Sequence, residues 1–351
     1  MAPSHEHRAK KRRLDSDAGQ VDTFKPATRF KPTEPRTWTV SVAVPTSIIT
    51  DCVTREQRTT IAGRIARALA VFSVDEVVIF DDRPRAGRVP GEDKPESYTG
   101  ETDPAHFLHH ILTYLETPPF MRKTLFPLHP NLRSQGLLPS LDMPHHPHKD
   151  EWLPYREGLT LEGSVPKNAK GTMVDIGMPE PVRIAEAIPP RTRVTLQMPD
   201  PDPDPDPSTT TKLPEPVHPS APRTEAGYFW GFGVRTCASL SDVFTTSDFA
   251  DGYDVSIGTS ERGVALAQAF PRAGRPVAFR HLLVVFGGPR GLEYAAMNDA
   301  ELARLDVAGA RTRDLFDHWV NVLPNQGSRT IRTDEAVLVA LTGLRRLWDA
   351  S

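Results

Sequence analysis

The stretch Asn325-Gln-Gly-Ser-Arg-Thr-Ile-Arg-Thr-Asp-Glu-Ala336 joins a glycine-bearing loop, two arginines and a helix start. Such a combination suits a ligand that is anionic or carries a sulfonium. Glycine lets backbone approach a ligand closely, and the first N–H groups of a helix point at an anion. A second loop, Val284-Val-Phe-Gly-Gly-Pro-Arg-Gly-Leu-Glu293, follows an apolar run from Leu282 to Phe286 that reads as a buried strand. Strand-to-loop turns of this kind commonly carry a cofactor.

These loops need rigid elements behind them. Thr333 reads as an N-cap with Asp334 and Glu335 in the first turn, ahead of Val337, Ala340, Leu341, Leu344 and Leu347 at helical spacing. Order begins at Trp38-Thr-Val-Ser-Val-Ala-Val44, an alternating strand closed by Pro45. Thr54 and Gln57 have capping-box spacing, and Ile61, Ile65, Ala68 and Leu69 share one helix face. Val77-Val-Ile-Phe80 is a continuous apolar run, as in a parallel strand covered on both faces, which completes a β-α-β unit. Pro104 after Asp103 opens a helix through Phe107, Leu108, Ile111, Leu112 and Leu115 that stops before Pro118.

Between these regions the texture changes. Gly171–Met178, Val182–Ile188 and Arg193–Met198 read as short strands separated by turns, a small β-barrel or sheet inserted into an α/β domain. After Tyr228-Phe-Trp230 the α/β rhythm resumes, with a helix over Thr236–Thr245 and strands over Tyr253–Ile257 and Val320–Leu323. The expected divisions are a basic, disordered tail over 1–35, an α/β domain over 36–125 and 226–351, and an insert over 126–225. The Pro199-Asp-Pro-Asp-Pro-Asp-Pro-Asp-Pro207 run, unable to enter a helix or central strand, reads as a solvated excursion of the insert.

The chain of 351 residues is long enough for two domains and a sizeable core. No stretch has the apolar length of a membrane span, so no membrane partner is expected. Two cysteines, Cys52 and Cys237, argue against a disulfide framework or a cysteine zinc site and for a reducing compartment. With a net charge of -3, any nucleic-acid surface has to be a local patch. Lys10-Lys-Arg-Arg13 resembles a nuclear localisation signal, although a short basic run also occurs as a plain solvated tail.

Taken together, Ala70–Phe80, Asp251-Gly-Tyr-Asp-Val-Ser-Ile-Gly-Thr-Ser-Glu-Arg-Gly263, the Val-Val-Phe-Gly-Gly loop and the Gly-Ser-Arg-Thr-Ile-Arg segment resemble SPOUT-class RNA methyltransferases. The similarity runs in order over residues 37–348. It is to the archaeal and eukaryotic branch with an inserted OB-like domain, which includes a centromere- and spindle-associated member. The resemblance implies an α/β trefoil-knot domain with an inserted small OB-like β-barrel, S-adenosyl-L-methionine as methyl donor, RNA as substrate and a homodimer. It also implies a nuclear or nucleolar location, with a cytoplasmic one as the alternative, and an association with spindle or centromere. The competing function is a binding or scaffold protein that has kept the cofactor pocket.

Carried onto this chain, the resemblance puts the methyl donor against Gly287, Gly288, Gly291 and Glu293. It adds Asn325, Gln326, Gly327 and Ser328, then Thr330, Ile331 and Arg332. In Gly258-Thr-Ser-Glu-Arg-Gly263, Thr259 and Ser260 become substrate contacts and Glu261 and Arg262 the catalytic candidates. Arg262 would position a phosphate or base, or stabilise charge developing on the attacking atom, unless it is a surface ion pair on a structural turn. Arg329 is a further candidate for RNA contact.

Weaker signals lie near the insert. Arg122, Lys123, His145 and His146, with Arg133, Lys149 and Arg156, read as an RNA-facing junction, and Tyr155 or Trp152 could supply stacking. His145-His-Pro-His148 has ligand residue types, but Pro147 breaks helical spacing and no cysteine assists, so no metal is expected.

Overall fold

The computed structural model describes residues 32, 34–83, 96–147, 151–163, 170–200, 212–271 and 277–348. The basic run Lys10–Arg13 and all but the start of the Pro-Asp run lie outside them. Two sheets organise the fold. The strands, in chain order, are β1 (Thr39–Pro45), β2 (Glu76–Phe80), β3 (Tyr155–Thr160), β4 (Thr172–Asp175), β5 (Val182–Ile184), β6 (Arg193–Gln197), β7 (Glu215–Val217), β8 (Gly233–Cys237), β9 (Val255–Ala265), β10 (His281–Val285) and β11 (His318–Asn321).

The larger sheet is wholly parallel, in the order β11-β9-β10-β1-β2-β8. Its centre is β1, every residue of which is buried. Val40, Val42 and Val44 pack against the helices Arg55–Val71, Pro104–Glu116 and Thr333–Leu344, while Ala43 faces the helices Leu240–Thr245, Gly291–Met297 and Ala300–Arg304. Cover on both faces is why β2 and β10 read as nearly unbroken apolar runs, while β1 alternates its valines with the smaller Thr39, Ser41 and Ala43. Each Val or Leu buried there contributes about 1.5–3 kcal/mol before ordering costs.

Local capping follows the sequence where the signal is short-ranged. Gln57 N donates to Thr54 Oγ1 and Thr54 N to Gln57 Oε1, both at 3.2 Å, closing the capping box of the helix Arg55–Val71. The helix Pro104–Glu116 starts on Asp103, whose Oδ1 accepts from His106 N at 3.0 Å. Thr333 departs from its expected role. Arg332 is the N-cap residue, its N–H bonded to Glu335 Oε2 at 3.0 Å, and the Thr333 hydroxyl instead donates to the Gly287 carbonyl at 3.0 Å.

Two further expectations change. The helix expected over Thr236–Thr245 begins only at Leu240, capped by Ser239, because Gly233–Cys237 pairs with β2 as an edge strand. The strand expected to end at Ile257 continues to Ala265, and Gly258–Gly263 lies within it. Trp319 pairs with Gly258 but Val320 pairs with Val264, so Thr259–Gly263 bulge out of the ladder. Glycine is needed at both ends: a Cβ on Gly258 would lie 2.6 Å from the Trp319 ring, and one on Gly263 would collide with the Val320 backbone. Bulges of this kind re-aim side chains beside active sites.

The smaller sheet is antiparallel, ordered β5-β4-β3-β6-β7, with a core of Val174, Ile176, Ile184 and Leu196. The described ladders leave β5 and β7 as its edges. A buried polar cluster fastens this sheet to the α/β layer. Glu116, at the end of its helix, takes both terminal nitrogens of Arg193 on β6 at 2.6 and 2.9 Å. The Arg193 Nε donates to Glu157 of β3 at 2.5 Å, and Glu157 Oε1 also accepts from Thr195 and from Trp230 Nε1, each at 2.7 Å. Among the described residues no helix is long and apolar enough to cross a membrane, and no three His, Cys, Asp or Glu side chains are grouped to hold a metal.

Candidate cofactor cleft

At the carboxyl ends of β1, β9, β10 and β11 lies a cleft of about 610 Å³. In open parallel sheets ligands bind at the carboxyl ends of strands, and this volume is that of small-molecule sites. Four chain segments wall it. The β9 bulge contributes Thr259, Ser260 and Glu261; the turn after β10 contributes Phe286 to Gly291, with Glu293. The segment after β11 contributes Val322, Leu323, Gln326 and Arg329 to Arg332, and the fourth wall is Ile48, Asp51, Cys52, Val53, Gln57 and Ile61.

The glycine turn is tightly built. Gly291 has φ +78°, in the region that favours glycine, and its N–H closes the turn on the Gly288 carbonyl at 2.9 Å. Behind Gly288 stands Ser47, whose hydroxyl donates to Asp82 Oδ2 at 2.5 Å and whose N–H donates to Asp82 Oδ1 at 3.2 Å. Burial pushes the Asp82 carboxyl above the usual range, against the lowering effect of the Ser47 hydrogen bond. The segment after β11, the closing segment of the cleft wall, is drawn to this turn by the Thr333 hydroxyl on the Gly287 carbonyl.

Most of the anticipated cofactor residues meet here: Gly287, Gly288, Gly291, Glu293, Gln326, Thr330, Ile331 and Arg332 all line the cleft. Asn325, Gly327 and Ser328 do not. They form the exposed tip of the closing segment, with Asn325 at φ +60°. Of the candidates toward substrate, Thr259, Ser260, Glu261 and Arg329 line the cleft. Arg262 lies at its rim, 71% exposed, with Nη1 3.0 Å from Oε1 of Glu293, which is itself 17% exposed. The ion pair weighed against a functional Arg262 is thus present, and its partner is a cleft residue.

The junction candidates are not gathered at this cleft. Arg122 donates to the carbonyls of Leu115 and Thr117, fastening the end of the helix Pro104–Glu116, and its guanidinium lies 4.8 Å from the Tyr114 ring centre. Lys123 is exposed elsewhere. His145 is fully buried, with Nε2 2.9 Å from both the carbonyl and Oε1 of Glu116, and His146 donates to the same carbonyl at 2.6 Å. Burial, then the neighbouring His145, lowers the His146 pKa to about 3. Arg156 is buried too, its Nε on the Ile176 carbonyl at 2.8 Å. His145 and His146 tie the segment before β3 to the helix Pro104–Glu116, and Arg156 ties β3 to the end of β4, so these side chains are engaged within the protein.

Ile48, Asp51, Cys52 and Ile61 belong to no ligand-loop motif, yet they line the site. The available signal was positional: they follow β1, whose carboxyl end in a parallel sheet borders the ligand crevice. Burial raises the Cys52 thiol pKa, against the effect of Arg332 and Arg58, so it remains a thiol.

Fold and cleft define an α/β protein with a cleft walled by strand-end loops, and the known proteins it resembles narrow the class. A family model described as "Putative RNA methyltransferase" matches residues 39–344. A 28S rRNA (uridine-N(3))-methyltransferase of Homo sapiens is 42% identical over 312 residues, covering 88% of this chain and 78% of the human protein. One of the same description from Drosophila melanogaster is 40% identical over 323 residues, and this chain spans 63% of its length. An uncharacterized protein of Halobacterium salinarum is 30% identical over 87% of this chain and 98% of its own. The chain belongs to the SPOUT class of RNA methyltransferases.

Proposed function

We propose that this enzyme methylates N3 of a uridine in large-subunit ribosomal RNA, with S-adenosylmethionine held in the cleft of strand-end loops. The observation that supports it is the convergence of the β9 bulge, the glycine turn and the closing segment on one cavity, together with relatives named for that reaction. The lining fits the donor chemically. Ile48, Ile61, Phe286 and Ile331 offer an apolar bed for an adenine ring, and the glycine turn offers backbone at close approach. Asp51 and Glu293 suit a sulfonium and an ammonium, while Arg332 and the N–H groups opening the helix Thr333–Leu344 suit a carboxylate.

When bound, the donor supplies an electrophilic methyl carbon. The chain has to align N3 of the base with it and relieve N3 of its proton, since a protonated imide nitrogen is a poor nucleophile. Thr259 and Ser260 hold the base, Arg329 takes a phosphate, and Glu261 accepts the N3 proton. Arg262, tethered by Glu293 at the rim of the cleft, stabilises the negative charge that develops on the deprotonated base. The resemblance further supports a trefoil knot formed as the chain returns from β11 into the helix Thr333–Leu344, an OB-like role for the antiparallel sheet, and a homodimer. An rRNA substrate and the Lys10–Arg13 run support a nuclear, nucleolar site of action.

The test is transfer of labelled methyl from S-adenosylmethionine into ribosomal RNA, followed by nucleoside mapping. The expected product is 3-methyluridine. Arg262→Ala is expected to lower the transfer rate by about 10²-fold, the scale for losing one charge-stabilising donor, while calorimetry shows donor binding nearly intact. A scaffold that merely retains the pocket would bind the donor and transfer nothing, and that result would end the enzymatic reading of this site.

A further inference from the structure

A second cleft, of about 1120 Å³, opens beside the first. Four cations border it, Arg55, Arg122, Lys123 and Arg133, and among the described residues no carboxylate does. On a chain with net charge of -3 this is a local reversal of sign. Its walls are aromatic and apolar: the Tyr114 and Phe126 rings meet edge to face at 5.4 Å, and the Leu128 side chain is wholly exposed. Arg122 is spent on helix carbonyls, yet Lys123 and Arg133 extend into solvent. The two clefts share one boundary. Val53 and Gln57 line the first and Arg55, on the same opening turn of the helix Arg55–Val71, lines the second.

We propose that this groove carries the single-stranded RNA that flanks the target nucleotide, with Lys123 and Arg133 on phosphates and bases lying against the apolar wall of Phe126, Pro127 and Leu128. Cations without nearby carboxylates in the lining, beside exposed apolar surface, match a strand whose charge repeats at every nucleotide and whose bases carry apolar faces. The shared helix turn lets one strand run from groove to cleft, so a uridine in the cleft and its neighbours in the groove belong to the same molecule. The proposal rests on the RNA-methyltransferase reading of the first cleft.

The experiment measures binding of a short fluorescein-labelled oligouridine to the full chain by anisotropy across a salt series. The Lys123→Ala, Arg133→Ala double variant is expected to bind several-fold more weakly. It should also flatten the slope of log K against log salt by about 1.4, at roughly 0.7 for each phosphate of a single strand that the variant no longer neutralises. A double variant at Arg280 and Arg304, which line neither cleft, should keep the wild-type slope. Thermal melting and calorimetry with S-adenosylmethionine should be unchanged in both. Equal slopes in the groove variant and the wild type, or equal losses in both double variants, overturn the groove as an RNA track while leaving the first cleft's reading in place. So does a poly-aspartate peptide that binds through Lys123 and Arg133 when RNA does not, which would assign the groove to an acidic polypeptide. A wild type that binds neither RNA nor donor removes the methyltransferase reading, and the track with it.

Discussion

Glu116→Ala is expected to destabilise the fold by about 3–5 kcal/mol, the scale for removing one partner from a buried ion pair. The carboxylate is 9% exposed and joins Arg193 of the antiparallel sheet to the end of a helix in the α/β layer. Without it, Arg193 keeps only Glu157, and His145 loses the carboxylate partner of its Nε2 while its Nδ1 is already without a hydrogen-bond partner. Urea unfolding of the purified variant measures the loss. A midpoint within error of wild type would show that the two sheets are held together by other contacts.

The same carboxylate sets a pH dependence. Burial raises its pKa, but Arg193 and then His145 outweigh that and hold it well below the ordinary value of 4.5. A depressed folded pKa means the charged pair contributes fully above the unfolded value, and the contribution is lost as pH falls below about 4.5 toward the folded one. Glu116→Gln should be less stable than wild type at neutral pH, and the gap between them should narrow on acidification in that window.

Gly288→Ala is expected to destabilise the fold by about 1–3 kcal/mol, the penalty of an unsatisfied buried polar group, and to lower affinity for S-adenosylmethionine where the turn shifts to relieve the clash. The new methyl would collide with Ser47 Oγ and lie 3.1 Å from Asp82 Oδ2. Either Ser47 turns away and leaves the buried Asp82 without its hydroxyl, or the turn retreats and deforms the cleft. Calorimetry reads the affinity, and methyl transfer should fall with it. Ser47→Ala combined with Gly288→Ala separates the two routes, because it removes the closest contact without restoring the hydrogen bond. Recovery of binding would assign the effect to displacement of the turn, and wild-type affinity in Gly288→Ala alone would show that the turn does not shape the donor site.

Much of this site was legible one segment at a time. The capping box of Thr54 and Gln57 and the Asp103 cap with Pro104 are local, made within a turn of helix, and both form as their spacing predicts. The glycine turn and the segment after β11, expected to lie against one ligand, line one cleft, and they stood out because glycine and helix starts advertise backbone geometry. Less legible were β8 and β9. Gly233–Cys237 is an edge strand with one neighbour, so its side chains carry no strong alternation. The β9 bulge depends on Trp319 and Val320, which approach from a distant part of the chain. Arg156, His145 and His146 looked like surface groups because histidine and arginine usually are. Their burial depends on carbonyls and carboxylates supplied by other elements, Glu116 above all, 77 residues from its partner Arg193.

By itself the sequence determined where the helices Arg55–Val71 and Pro104–Glu116 begin, which strands are covered on both faces, and which turns need glycine. These are consequences of periodicity, capping and glycine, which act over a few residues. Only the tertiary structure decided that Ile48, Asp51 and Cys52 share a cavity with Gly288 and Arg332, that Ser47 and Asp82 brace the glycine turn, and that Arg262 is tethered to Glu293. Strand order made those meetings. Placing β10 between β1 and β9, with β11 beyond, sets side by side the carboxyl ends of strands far apart in the chain.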